Sequence, residues 1–273
     1  MKLRFKHIVL SASLICTVLW GSVVMAQNVA VLGAPGSDAW NDDVVAKISA
    51  AGTFDSVTGM IVSSSTPTLL ELSAYNAVIV YSDNNFGDAD GLGDVLADYV
   101  DAGGGVVVAT FAFWDSGINI GGRLASGGYL PFTQAAQASP GGLTLVPVIA
   151  DHPLLDGVTS FNGGTSSYHN AVIDVAAGAT LVANWSNGQP LIGTLSLTAG
   201  TVVGLNFYPP SSDARGDFWD SATDGDQIMV NALNYSAGNF VEAAPVPSLS
   251  AIGLLLLLGL MLMVGTMRLR KSV

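Results

Sequence analysis

Residues 76–114, NAVIVYSDNNFGDADGLGDVLADYVDAGGGVVVATFAFW, limit what this chain can fold into more than any other stretch. Residues 77–81 and 106–110 are apolar runs without polar alternation, as expected of parallel strands covered on both faces. Between them Leu92, Val95, Leu96, Tyr99 and Val100 recur at helical spacing and give one helix a single apolar face. Gly103-Gly104-Gly105 stops that helix, because glycine alone enters left-handed backbone conformations at little cost. Strand, helix and strand make one βαβ unit, which requires a parallel sheet with a right-handed crossover.

The flanking sequence extends the pattern. Residues 28–34 read as a first buried strand, followed by a Pro-Gly turn and Ser37 or Asp38 as a helix cap. A helix through Val44, Val45 and Ile48 is expected to end near Gly52, a second strand to occupy 54–62, and a short helix to carry Leu69, Leu70 and Leu72. After Trp114 the pattern loosens. A Gly-rich stretch at 117–128 admits a short helix around Arg123, and 143–149 reads as a strand. Strands are then expected at 171–175, 180–183, 190–193 and 201–207, punctuated by Asn187-Gly188 and Ala199-Gly200. A helix over 224–235 closes the domain with Ile228, Met229, Ala232 and Leu233 on one face. The expected fold class is α/β, a parallel sheet with helices on both faces.

The two ends of the 273-residue chain read differently from its middle. Residues 1–26 have a basic start, an apolar core at 8–19 and a small-residue cleavage site at Val24-Met25-Ala26, the layout of a signal peptide, with an uncleaved anchor as the alternative. Residues 249–267 are uncharged for about the length of a membrane-spanning helix. Arg268, Arg270 and Lys271 follow directly in the tail 268–273, which places the preceding domain, 27–238, on the outer side. Ala244-Pro245-Val246-Pro247-Ser248-Leu249-Ser250, with the linker 239–248, the apolar run and the basic tail, resembles the IPTL-CTERM and PEP-CTERM sorting signals of Gram-negative bacteria. It lacks the Glu-Trp pair of the first type, having Ala251-Ile252 there, and the motif glutamate of the second. The resemblance implies an exosortase-like protease-transpeptidase as partner and a cell-surface or exopolysaccharide location, or a single-pass membrane protein if unprocessed.

Between these ends only Lys47, Arg123 and Arg215 stand against all 21 acidic residues. A surface so acidic repels phosphate backbones, so nucleic acid is not an expected partner. The one cysteine, Cys16, lies in the N-terminal apolar segment, so the domain has no thiol for a disulfide, a metal or nucleophilic catalysis.

Tyr75-Asn76-Ala77-Val78-Ile79-Val80, residues 96–105 (LADYVDAGGG), residues 151–158 (DHPLLDGV) and Gly204-Leu205-Asn206-Phe207 occur in an order that resembles the class I glutamine amidotransferase-like fold, in its ThuA-like branch. The resemblance spans roughly 28–237 and implies a flavodoxin-like sheet. In amidotransferases of this fold the nucleophilic cysteine occupies a Gly-flanked turn after the strand that follows such a glycine run. Here that place reads Ala109-Thr110-Phe111-Ala112-Phe113-Trp114, so amidotransferase activity is not expected. Thr110 or Ser116 is the candidate substitute nucleophile, against a threonine that simply belongs to its strand.

Other candidates are spread along the chain. His152, which resembles a motif histidine of the ThuA-like branch, is a candidate acid-base or metal group with Asp151 or Asp156, or else a loop histidine held by backbone groups. The loop 83–94 supplies Asp83, Asp88 and Asp90 as candidate calcium ligands, although it does not fit the EF-hand register and Asp88 or Asp90 equally suits a helix cap. No other cofactor is expected. Asp83 and Asn85, with Phe113, Trp114 and Trp219, form the candidate ligand-binding set, since rings beside Asp and Asn suit a sugar. The leading expectation is an exported, surface-anchored, non-catalytic binding or structural module for polysaccharide. A carboxylate and histidine hydrolase of the cell envelope, metal-assisted or not, and a calcium-dependent adhesion domain are the alternatives.

Overall fold

The computed structural model describes residues 27–239. The signal peptide, the spanning helix and basic tail, and all of the linker and sorting motif except Asn239 lie outside the described residues. Among the described residues no helix is long and apolar enough to cross a membrane.

The chain runs β1 (Asn28–Ala34), α1 (Asp38–Ala50), β2 (Ser56–Ile61), α2 (Leu69–Leu72), β3 (Ala77–Ser82), α3 (Ala89–Asp101) and β4 (Gly105–Ala109). It continues through α4 (Gly122–Ser126), β5 (Gln137–Ala138), β6 (Leu145–Pro147), a 3-10 turn (Pro153–Leu155) and β7 (His169–Asn170). The last elements are β8 (Thr180–Trp185), β9 (Pro190–Ser196), β10 (Thr201–Leu205) and α5 (Gly225–Ser236). Eight strands form one sheet in the order β2-β1-β3-β4-β10-β9-β8-β6, and β5 pairs with β7 apart from it.

Strand faces alternate, so each buried strand feeds two cores. Val31, Ile79, Val107 and Val203 point to the face covered by α1 and α5, where Val44, Ile48, Ile228 and Leu233 meet them. Leu32, Val80, Val108 and Val202 point to the face covered by α2, α3 and α4, through Leu72, Leu96, Val100 and Leu124. Gly103 takes φ 96° directly after α3, and the Gly104 amide donates to the Tyr99 carbonyl, as glycine at a helix end allows.

The sheet is mixed, which corrects the expectation of parallel strands throughout. β2, β1, β3, β4 and β10 are parallel, whereas β9, β8 and β6 each run antiparallel to their neighbours. For β8 and β9, connection length is the reason. Asn187-Gly188 joins β8 to β9 and Ala199-Gly200 joins β9 to β10, and links this short reverse the chain, whereas a parallel neighbour needs a crossover of about a dozen residues. Two strand assignments also change. Within 143–149 only Leu145–Pro147 form a strand, and 171–175 forms no strand, because the pairing ends at Asn170 and Val172 turns away at φ 56°.

The parallel strands give the sheet two distinct edges. At the edge where they start, the Asn28 amide donates to Asn76 Oδ1 and the Gly105 amide to the Asn76 carbonyl. Gly105 also packs so closely on Ser236, the last residue of α5, that a side chain there would collide with it. The described chain therefore enters at Gln27 and leaves at Asn239 on the same amino edge. Everything that follows β1, β3, β4 and β10 directly lies at the opposite, carboxyl edge, where open α/β sheets form their ligand crevice.

Candidate functional site

At the carboxyl edge Thr110, the first residue after β4, is completely buried. Its hydroxyl lies 3.3 Å from Asn170 Oδ1 and 3.1 Å from Asn206 Oδ1. Asn206, the first residue after β10, acts as a substitute strand. Its Oδ1 accepts from the Asn170 amide (2.7 Å), and its Nδ2 donates to the carbonyls of Asn170 (2.9 Å) and Pro190 (2.8 Å). Asn170 Nδ2 donates in turn to the Ala135 carbonyl. Among the described residues the Thr110 hydroxyl bonds only to amide oxygens and not to a base. As arranged, the group holds β7 against the sheet.

Beside this network stands a set of rings. Buried Phe111, Tyr208 and Phe218 form its floor, with Phe111 stacked on Tyr208 at 5.4 Å and Tyr208 edge-on to Phe218 at 4.9 Å. Half-buried Trp40, Tyr168 and Trp114 surround them, 5.1 Å from Phe218, 5.6 Å from Phe111 and 6.3 Å from Phe111 respectively. The Arg215 guanidinium lies over Phe218 at 4.5 Å and Trp40 at 5.3 Å. It is fixed by Asp217, with Nε to Oδ1 at 2.5 Å and Nη2 to Oδ2 at 2.7 Å, and by the Tyr168 hydroxyl. The hydrogen bonds from Arg215 hold the Asp217 carboxyl well below the usual carboxylate range.

Asp83, directly after β3, is the electrostatic exception. Its carboxylate abuts Gly36 and makes no hydrogen bond among the described residues. Burial pushes its pKa up, and the Arg215 charge only partly offsets this. The Tyr208 hydroxyl is buried without a satisfactory hydrogen bond, and burial raises it well above the phenol range.

The residues singled out from the sequence divide into groups. Asp83 and Trp114 lie at the carboxyl edge, and Asn85 is exposed on the loop after β3. Phe113 does not join Trp114. It is fully buried on the α3 face against Phe132, whereas Trp114 packs against the opposite face's core. Trp219 is also core, packed near Phe161, with its Nε1 donating to the Pro209 carbonyl. Asp88 caps α3 by accepting from the Gly91 amide, and Asp90 Oδ1 accepts from the Gly122 amide. Among the described residues no group of three or more His, Cys, Asp or Glu side chains is placed to hold a metal ion. His152 accepts from the Leu154 amide through Nδ1 and lies 5.2 Å from the Tyr235 ring. Tyr235 neighbours Ser236 at the amino edge, so His152 and Asp83 sit at opposite edges and cannot act on one substrate atom.

Trp40, Tyr168, Tyr208 and Arg215 were not anticipated. They come from four distant segments, and only a ring or cation near a strand exit marks them in sequence. A cavity of about 580 Å³ adjoins Phe218 at the same edge, walled by glycine backbone with Asn162, Thr165, Ser212 and Asp220. A second, of about 440 Å³, lies around His152, Asp151 and Asp156.

No family model matches the sequence, and no curated protein matches it. Solved structures do. The chain superposes on a ThuA-like protein from Bacteroides uniformis with a TM-score of 0.56 at 13% identity, covering 79% of this chain and 94% of that one. A ThuA-like protein from Parabacteroides merdae gives 0.53 at 15% identity, covering 81% and 94%. A glutamine amidotransferase from Thermotoga maritima gives 0.50 at 9% identity, covering 78% and 99%. Likeness at such low identity speaks for architecture alone, and the architecture is that of the class I glutamine amidotransferase-like, ThuA-like fold.

Proposed function

We propose that this chain is an exported, surface-anchored binding module that carries an amidotransferase-like scaffold without amide-cleaving chemistry and takes polysaccharide at the carboxyl edge. The observation that carries the reading is the ring of half-buried Trp40, Tyr168 and Trp114 around the fixed Arg215 and Asp217 pair. Aromatic planes stack on the C–H faces of sugar rings, while a rigid rim of charged donors and acceptors bonds the hydroxyls. The sealed Thr110 and the absence of any cysteine beyond Cys16 support the non-catalytic half of the reading. The apolar, basic-ended tail supports anchoring.

Binding is tested by titrating the full-length protein, in detergent, with bacterial exopolysaccharides while following tryptophan fluorescence. Saturable binding is expected, with Trp40→Ala and Trp114→Ala each weakening it about tenfold. Absence of binding, or full retention by both variants, overturns the proposal. One observation favours a second reading, a hydrolase: Asp83 is a half-buried carboxylate with a raised pKa and no hydrogen bond. In that case new reducing ends would appear on incubation and would be lost in Asp83→Asn.

A further inference from the structure

The open cleft beside Phe218 is lined by three loops of the carboxyl edge: those before β6, before β7 and between β10 and α5. At about 580 Å³ it has the size of a small-molecule site, for which about 300–1,000 Å³ is usual. No Lys, Arg or His lines it, and Asp220 is its one charged residue. The polar atoms that remain available are of both kinds. Asn162 Oδ1 is occupied by the Gly164 amide (2.9 Å), which leaves its Nδ2 as a donor. Asp220 Oδ1 is occupied by the Ala222 amide (3.0 Å), which leaves Oδ2 as an acceptor. The exposed Thr165 hydroxyl has no partner among the described residues and can act either way. Gly164, at φ 73°, has its Cα so near the Phe218 carbonyl that a Cβ would lie 1.8 Å from that oxygen, so this wall stays bare backbone.

We propose that this cavity seats a short segment of an uncharged oligosaccharide and discriminates against acidic sugars. A polyol supplies donors and acceptors to match Asn162, Thr165 and Asp220. A uronate would bring a second carboxylate against Asp220 with no cation in the lining to offset it, and like-charge juxtaposition of this kind is how a site rejects a ligand. The inference rests on the polysaccharide-binding reading above and adds the chemical class that the site accepts.

The test titrates full-length protein in detergent with neutral oligomers of glucose, galactose, mannose and N-acetylglucosamine, and with oligomers of galacturonate. At least one neutral oligomer is expected to bind, and galacturonate oligomers about tenfold more weakly or not at all. A Cβ at Gly216 meets no atom within 4 Å, so Gly216→Trp can fill the cavity without a backbone clash. It is expected to weaken neutral binding by about tenfold or more at an unchanged melting temperature. Thr165→Val, which removes an unpartnered exposed hydroxyl, serves as the second variant if Gly216→Trp fails to fold, with a loss of a few fold expected. Equal affinity for galacturonate, or undiminished neutral binding by the folded variant, overturns this inference and leaves the proposed function standing. Absence of binding to every oligomer and polysaccharide overturns both.

Discussion

His169 shows how far single side chains here are committed to structure. It is buried, its Nδ1 faces the Ser167 carbonyl at 2.8 Å, and its Nε2 faces Asn187 Nδ2 at 3.5 Å. A neutral imidazole with Nδ1 protonated satisfies both contacts, and burial lowers the pKa. His152 is also lowered by burial, and its Nδ1 must stay unprotonated to accept from Leu154. For groups whose folded pKa is depressed, the stability they contribute is complete above the unfolded value, about 6.5 for histidine, and is lost as pH falls through the folded value. The melting temperature is therefore expected to drop between roughly pH 7 and pH 5, before the carboxylates titrate. His169→Asn and His152→Asn, measured by thermal melts across that range, are each expected to flatten the slope. An unchanged slope in the double variant would remove the histidines from the account.

At the level of elements, α3 and α4 meet through glycine. A Cβ at Gly93 would lie 2.0 Å from the Gly121 carbonyl, so α4 rests directly on the α3 backbone. Exchanging glycine for alanine inside a helix ordinarily stabilises by up to about 1 kcal/mol. Here the steric cost reverses the sign, and Gly93→Ala is expected to destabilise by about 1–3 kcal/mol in urea denaturation. The central βαβ unit and both flanking helices were legible because buried runs and a 3.6-residue apolar face are properties of short stretches. Strand direction was not, since β8, β9 and β10 have the same apolar character whichever way they run. Asn187-Gly188 and Ala199-Gly200 were the local signs of reversal. The site was legible only in part for a related reason. Asp83 and Trp114 sit beside strand exits that the sequence reveals, whereas the meeting of Trp40, Tyr168 and Arg215 depends on two distant loops closing over the start of α1.

For the molecule as a whole, the acidic loop after β3 acts as a capping device. Asp88 Oδ1 accepts from the Gly91 amide and caps α3, and Asp90 Oδ1, in the first turn of α3, accepts from the Gly122 amide and ties α3 to the start of α4. A chelator is accordingly expected to leave the melting temperature of the full-length protein unchanged. A drop of more than a few degrees would restore the calcium-dependent adhesion alternative, because a ligand that binds only the folded state raises its apparent stability.

Gln27 and Asn239 emerge beside one another's edge of the sheet, with the whole length of the strands between them and the aromatic surface. A body gripped at one pole displays the other. Fluorescent or affinity fusions at either flank would leave the ring-lined pole unobstructed, and under the proposed anchoring a short tether would keep that pole on the side away from the membrane.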